Sequence, residues 1–474
     1  MITLRSNQKE PIRKATEFFN LKKTVPSLIV LPTAWGKSIL TAFTAKSMED
    51  KLLVLQPSKE LLEQNYKKYL TLCGGDLDIQ AGIYSASFGR KDINKITYAT
   101  IGSIKNFGKL FKQLGFKKLL IDEAHLYPRE ADSMLGKFLA DSEITHTLGI
   151  TATPVKLQQN MDLSGERFSK LVMLTSRSKK GNFFKDIIHV GQVSEMVEMG
   201  FWSKLQYSAA GFDGSLLVYN SSKSEYTEES VQRAFEANNI HAQIQRKLDE
   251  NADRRHILVF VPSVKEAIDL SRQYPNSAAV YGEMDKTSRE RIIDDFRSGK
   301  TRVIFNVRVL STGFDYTGID CIILGISTAS IALYYQILGR ATRIDPDKKD
   351  ALIIDLAGNV SRFGRVEDIV FEKGTIWQMF GTGGKLLSGI PIHDIGKIVK
   401  DGNGRIEKGT TGGAIKVIET MPFGKHKGEK IKDIPATYKR WALDNITWTS
   451  ANESLLVAIL KSMNMAVFNH RQKN

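Results

Sequence analysis

Short apolar runs alternate with stretches of helical period along most of the chain. In the first half the runs are Ser27–Leu31, Lys51–Gln56, Lys95–Thr100, Lys118–Ile121 and Thr147–Ile150. A second series follows at His256–Val261, Ala278–Tyr281, Arg302–Asn306, Cys321–Leu324 and Ala351–Asp355. This alternation predicts βαβ units built on parallel sheet. Helix ends are readable too: Thr287 with Glu290 reads as a capping box, Ile292, Ile293 and Phe296 give an apolar face, and Gly299 closes the helix. Two α/β lobes are expected, divided between Leu171 and Asn251, where serine-rich text around Ser221–Ser224 suits a crossing. The expected order is a first lobe over 1–190, a connecting region over 191–250 and a second lobe over 251–370. A glycine-punctuated connector over 371–419 and a small basic module over 420–474 follow. Cys321 to Gly339 is uncharged and long enough to suggest a membrane span. Gly325, Ser327, Thr328, Ser330 and Gln336 interrupt it, so it reads as strand, loop and helix start.

Composition narrows the function classes. A chain of 474 residues exceeds what one core usually organises. Two cysteines, Cys73 and Cys321, cannot build a disulfide framework, a four-cysteine zinc site or an iron–sulfur ligand set. The N-terminus lacks the apolar core of a signal peptide, so a soluble protein of the cytoplasm is expected, with no membrane partner. Sixty-seven Lys and Arg against 52 Asp and Glu leave +15, an excess that favours polyanions such as nucleic acid.

Two segments carry candidate chemistry. Leu28-Ile29-Val30-Leu31-Pro32-Thr33-Ala34-Trp35-Gly36-Lys37-Ser38 is an apolar strand entering a turn and then a helix. Backbone N–H groups over Thr33–Gly36, a helix N-terminus and a lysine are what a phosphate requires. Lys37 would bridge β- and γ-phosphates and the Ser38 hydroxyl would ligate Mg²⁺. Leu31 stands at the first glycine position of the full phosphate-loop pattern, and Trp35 suits packing better than catalysis. Lys118-Leu119-Leu120-Ile121-Asp122-Glu123-Ala124-His125 is a second apolar strand, ending in adjacent acids. There Asp122 would hold Mg²⁺ through water and Glu123 would activate the attacking water.

From Asp122-Glu123-Ala124-His125 onward the chain resembles a superfamily 2 helicase of the DEAH type, and the resemblance runs from Leu4 to Arg365. It implies two RecA-like lobes that use ATP and Mg²⁺. Gln8 resembles the adenine-reading glutamine. Pro57-Ser58-Lys59-Glu60-Leu61 and Thr100-Ile101-Gly102-Ser103 resemble strand-contacting motifs, which implies nucleic-acid contacts at Pro57, Ser58, Thr100 and Ser103. Thr151-Ala152-Thr153 resembles the motif that couples nucleotide state to nucleic acid, with His125, Thr151 and Thr153 as coupling residues. Ser311-Thr312-Gly313-Phe314-Asp315 resembles the second-lobe motif that touches both ligands, through Thr312 and Asp315. Gln336-Ile337-Leu338-Gly339-Arg340-Ala341-Thr342-Arg343 resembles the arginine-finger motif, which implies catalytic Gln336, Arg340 and Arg343. The two arginines lie three residues apart at an expected helix start, so both can face one cleft. Ala34 stands where the family commonly has glycine. Leu352-Ile353-Ile354-Asp355-Leu356-Ala357-Gly358-Asn359 is similar to DNA-remodelling members more than to RNA-processing ones.

Met421-Pro422-Phe423-Gly424-Lys425-His426-Lys427-Gly428 resembles a small module found after some exonuclease domains. Its lysines, Lys425 and Lys427 among them, interleave with Phe423, Tyr438, Trp441 and Trp448, a composition that suits DNA ends or single strands and equally suits a small core. The resemblance implies an ATP-dependent DNA helicase or translocase acting on single-stranded, forked or branched DNA in phage-like or bacterial replication, recombination or repair. A phage-encoded chain would work in the host cytoplasm. An RNA helicase and the motor subunit of a restriction-type complex are the alternatives. The oligomeric state stays open, and a monomer is compatible with every motif.

Overall fold

A computed structural model describes residues 3–74, 81–127, 133–161, 167–176, 182–221, 225–307, 309, 316–392, 395, 398–400, 406–408, 420–421, 425–445, 455, 458–459 and 462–463. The chain forms two compact units. The first comprises Met1–Lys156 and Leu174–Gln192, and the second comprises Leu157–Met173 and Val193–Asn474.

The first unit is an eight-stranded sheet. Its strands are β1 (Ser27–Val30), β2 (Leu52–Leu55), β3 (Ala81–Ser85), β4 (Arg90–Lys91), β5 (Ile96–Ala99), β6 (Lys118–Ile121) and β7 (His146–Thr151). After a two-stranded ribbon of β8 (Val155–Met161) and β9 (Arg167–Met173), β10 (Asp186–Val190) completes the sheet. The spatial order is β10-β1-β7-β6-β2-β5-β3-β4, parallel except for the antiparallel pair of β3 with β4. Buried on both faces, the central strands are continuous apolar runs, as parallel sheets require. The second unit holds β11 (Leu205–Ala209), β12 (Ile257–Phe260), β13 (Ser277–Val280), β14 (Val303–Asn306), β15 (Cys321–Leu324) and β16 (Ala351–Asp355). Their order is β11-β16-β15-β12-β14-β13, all parallel. The expected α/β class with two parallel-sheet lobes is what forms.

Local differences from the sequence reading have physical causes. Asp285, not Thr287, caps the helix Lys286–Arg297, because its carboxylate accepts from Ser288 N at 2.9 Å and so satisfies an open helix donor. Gly299, at φ +79°, follows that helix's end as expected. The uncharged stretch after Cys321 divides into β15 and the helix Ile331–Leu338, and no helix among the described residues is long and apolar enough to cross a membrane. Phe380, Leu386 and Ile390, from the glycine-punctuated interval, pack in one core with Met421, Ile431, Ile434, Ala442, Leu455 and Ile459. That interval therefore supplies core as well as connection, and an antiparallel pair, Val370–Lys373 with Trp377–Phe380, leads into it.

Within β7, Gly149 lies where the sheet meets its cover. A Cβ there would fall 2.6 Å from Leu28 Cδ2, 2.7 Å from the Ala124 methyl and 2.7 Å from Phe184 Cζ. Gly149→Ala should therefore destabilise the first unit by about 1–3 kcal/mol through overpacking. Denaturant titration of the intact chain checks this, with a lowered midpoint expected for the transition that carries the first unit.

Candidate active site

Parallel strands put the residues after their carboxyl ends along one edge. Val30 is level with Thr151 in the β1–β7 pair, and Ile121 is level with Gly149 and Leu55. The ladder continues one residue past the strands: Leu31 N donates to Thr151 O at 2.9 Å and Asp122 N to Leu55 O at 3.0 Å. The chain then turns into the helix Lys37–Lys46 through Gly36, at φ +97°. A side chain at Gly36 would strike Gln8 Nε2 at 2.5 Å, so both backbone and space demand glycine. Ala34 adopts φ +60°, a conformation that costs an L-residue roughly 1–2 kcal/mol. The glycine-to-alanine departure thus keeps the left-handed turn at some strain.

Gln8 braces this loop. Its amide donates to Trp35 O at 3.0 Å and its carbonyl accepts from Arg5 N at 3.0 Å. Trp35 itself is buried, its ring lies against Gly191 and its backbone N–H donates to Pro32 O at 3.4 Å. The Trp35 ring thus packs inside the unit, as its apolar character suggested.

Lys37 pairs with Glu123 Oε1. Glu123, itself at φ +45°, sets Oε2 3.5 Å from His125 Nδ1, and that nitrogen lies 2.9 Å from Thr151 Oγ1. Thr151 Oγ1 in turn accepts from Thr153 N at 3.1 Å. A continuous polar chain therefore runs from the loop after β1 through the end of β6 to the end of β7. Asp122, beside it, is buried and bonded by Glu123 N at 2.9 Å and Asn65 Nδ2 at 3.1 Å. Burial, with the neighbouring Glu123 charge, pushes its carboxyl up to about 6, against the pull of Lys37. Asn65 also bonds Gln56 Oε1 at 2.9 Å, which ties the site to the end of β2. Sequence reasoning missed Asn65. A signal was available: Leu62, Asn65, Tyr66 and Tyr69 form one buried helical stripe, and Asn65 is its amide.

The expected strand contacts also lie at carboxyl ends, after β2 and β5. Pro57 and Ser58 are half-buried, and Ser58 Oγ caps the helix Lys59–Cys73 by accepting from Leu61 N at 3.3 Å. Thr100 and Ser103 hydroxyls lie 2.9 Å apart, and Ser103 Oγ accepts from Ala86 N at 2.9 Å. Ser38 is half-buried in the first turn of its helix. Lys425 and Lys427 are exposed in a turn of the second unit. Thr312 and Asp315 lie outside the described residues, as do Phe423 and Trp448.

In the second unit Gln336 falls in the last turn of the helix Ile331–Leu338, whereas Arg340 and Arg343 follow its end. The expected helix start at the arginines is thus corrected: the apolar positions Ile331, Tyr334, Tyr335, Ile337 and Leu338 place the helix earlier, and Gly339 caps it. Arg343 is held by its backbone, whose carbonyl accepts from Ser203 Oγ at 2.8 Å and from Lys348 Nζ. Lys348 reaches the carbonyls of Thr317, Ile319 and Ala341 as well, at 3.0, 3.2 and 3.1 Å. Burial lowers this ammonium to about 8 and also lowers Arg343 from its ordinary value. Lys348 gave no sequence signal, because Asp345-Pro346-Asp347-Lys348-Lys349-Asp350 reads as a solvated charged turn. Asp355, at the end of β16, is pinned by Val360 N at 2.6 Å, Ala357 N at 3.1 Å and Asn359 Nδ2 at 3.2 Å.

Residues 1–156 match the family "Type III restriction enzyme, res subunit", and residues 239–345 match "Helicase conserved C-terminal domain". In both halves the chain is therefore similar to ATP-dependent helicases of superfamily 2. Irc3 of Schizosaccharomyces pombe, whose name assigns it to the mitochondrial ATP-dependent helicases, is 26% identical over 350 residues, 70% of this chain and 54% of its own length. The DNA 3'-5' translocase XPB2 of Sulfurisphaera tokodaii is 26% identical over 355 residues, 69% of this chain and 77% of XPB2. Among solved structures, the Type ISP restriction-modification enzyme LlaBIII bound to DNA shares the fold at TM-score 0.54 and 15% identity, over 75% of this chain and 28% of LlaBIII. The chain spans about half the length of irc3.

Two buried braces of the helicase lobes can be tested directly. Asn65→Ala removes a donor from Asp122 and one from Gln56 and should lower stability by about 1–3 kcal/mol. Lys348→Met should cost the second unit at least about 1–3 kcal/mol, because four carbonyls lose a shared cation. Thermal unfolding of both variants beside the parent chain checks these values.

Proposed function

We propose that this chain is a DEAH-type, ATP-dependent DNA helicase or translocase acting on forked or branched DNA in replication, recombination or repair, in a cytoplasmic setting. The observation that carries the reading is the chain of contacts from Lys37 through Glu123 and His125 to Thr151. In this reading Lys37 holds the β- and γ-phosphates, and a phosphate that takes Lys37 releases Glu123 to orient and deprotonate water. His125, Thr151 and Thr153 relay the change to the strands that face DNA. Gln8, Thr33, Ala34 and Gly36 shape the nucleotide loop.

The residues fit Mg²⁺. Asp122 is a buried carboxylate whose pKa burial and Glu123 raise, and a cation beside it would favour its charged form. Ser38 and Asp122 would hold the ion, which spreads the phosphate charge when bound. One carboxylate and one hydroxyl, completed by substrate oxygens, are the usual protein share of such a site. Arg340, Arg343 and Gln336 belong to the other unit. Their charge and hydrogen bonds would reach the γ-phosphate only when the lobes close on ATP, so turnover and movement along DNA become one event.

DNA is favoured over RNA by the named activity of XPB2 and by the LlaBIII–DNA structure, whereas the net +15 suits either nucleic acid. A second reading, the motor subunit of a restriction-type complex, is favoured by the first-domain match, and the nuclease would then sit on another chain.

Lys37→Ala should abolish ATP turnover, and Glu123→Gln should bind ATP while hydrolysis falls by roughly 10²–10⁴. Arg343→Ala should lower hydrolysis by about 10³–10⁵ and keep most single-strand affinity. The measurement is ATP turnover with single-stranded, duplex, forked and four-way DNA, with RNA alongside. Forked or branched DNA should stimulate most. Stronger stimulation by RNA would overturn the substrate, and near-normal turnover by Glu123→Gln would remove that residue from the mechanism.

A further inference from the structure

The two arginines that follow the helix Ile331–Leu338 are not held alike. Arg340 N donates to Ile337 O at 3.1 Å, so the end of the helix itself fixes that backbone. Arg343 lies past this turn, and its backbone is fixed from other segments. Ser203 N donates to Thr342 O and Ser203 Oγ to Arg343 O, each at 2.8 Å, and Lys348 Nζ donates to Arg343 O as well. The same ammonium bonds Ala341 O at 3.1 Å, Thr317 O at 3.0 Å and Ile319 O at 3.2 Å. It therefore ties the arginine turn to the approach of β15, a buried strand paired with β12 and β16. Asp345 repeats the link, because its carboxylate accepts from the Thr317 hydroxyl.

Stability alone does not call for this arrangement. The half-buried ammonium loses hydration; Asp345 and Asp320 favour its charge, and the neighbouring Arg343 opposes it. An apolar side chain of similar volume would avoid both the desolvation and the repulsion. What the cation supplies is geometry. Three N–H donors shared among four carbonyls fix how the two segments sit against each other. A guanidinium that acts on a transferring phosphoryl group needs such placement, since an error of about 1 Å can cost about 100-fold in rate.

We propose that Lys348 is a positioning residue for ATP hydrolysis, clamping the turn Ala341–Arg343 to the approach of β15 so that Arg343 is presented in one place. The inference rests on the reading of Arg343 as the residue that meets the γ-phosphate. Lys348 touches no substrate in this scheme, and its effect passes through the Arg343 backbone. Ser203 is the second half of the clamp, acting on the same carbonyl.

The test is a double-mutant cycle on the full chain, read as steady-state and single-turnover ATP hydrolysis with saturating single-stranded DNA, below the melting transition of every variant. Lys348→Met keeps about the length of the side chain and loses the charge. It should lower kcat by roughly 10- to 100-fold and leave the KM for ATP within about threefold of the parent. Ser203→Ala removes one donor from the Arg343 carbonyl and should lower kcat by about 3- to 10-fold, again without a change in KM. In the Arg343→Ala background neither change should lower hydrolysis by more than about twofold, because the group they position is gone.

Near-parent kcat in Lys348→Met would overturn the clamp. So would losses that multiply in the Arg343→Ala background, or a raised KM with kcat unchanged, since either marks a residue that only holds the fold. If Lys348→Met does not fold, Ser203→Ala, alone and over Arg343→Ala, decides by the same criteria. Failure of the arginine reading shows separately, as near-normal hydrolysis by Arg343→Ala alone, whereas failure of the clamp leaves that variant impaired.

Discussion

A parallel strand hands its next residue to the same edge of the sheet as its neighbours do, and that constraint organises the first unit. Because β1, β7 and β6 lie side by side, Lys37, Thr151 and Glu123 arrive at one edge from segments distant in sequence. The register is fixed by burial on both faces, since a slip of one residue would turn every apolar side chain the wrong way. Gly149 lets the strands and their covering residues close to contact distance there. The polar chain at the edge therefore depends on apolar packing a few residues below it.

Burial also sets the chemistry of that edge. Asp122 is deep enough for its carboxyl to resist ionisation, yet Asn65 and the backbone of Glu123 hold its two oxygens in place. An unbonded acid at that depth would cost several kcal/mol, and a bonded one is poised to respond to a cation. Across the second unit, Lys348 plays a comparable part for the arginine turn, because its one ammonium draws four carbonyls together.

Fully buried strands that are unbroken aliphatic runs were legible in the sequence, as at Leu52–Leu55, Ile257–Phe260 and Cys321–Leu324, whereas Ala81–Ser85, equally buried but mixed in composition, was not. Nor were two edge strands. Arg90–Lys91 carries two charges and Leu205–Ala209 alternates with polar residues, so neither stands out from a loop. Lys37, Asp122 and Glu123 could be singled out because a lysine and adjacent acids directly after apolar strands stand out in the sequence, and the structure sets them at one sheet edge. Lys348 was not, because its partners are backbone carbonyls, which leave no trace in residue identity. The cap at Asp285 was missed by two positions, since Thr287 offers the same chemistry and only the chain's path decides between them.

The order of strands has a consequence for how the protein is made. β1 leaves the ribosome before the other strands of its unit, but one of its two neighbours, β10, is encoded about as late as any part of that unit. Until Asp186–Val190 emerges, the strand that leads into the phosphate loop has an open edge, and the segment Leu157–Met173, which packs in the other unit, must be made in between. At ribosomal speeds of about 5–20 residues per second that wait is on the order of ten seconds or more. During it, Leu28 to Val30 form an unpaired apolar edge of the kind that recruits foreign strands, so a nascent chain is at its most vulnerable beside the very residues proposed to hold nucleotide.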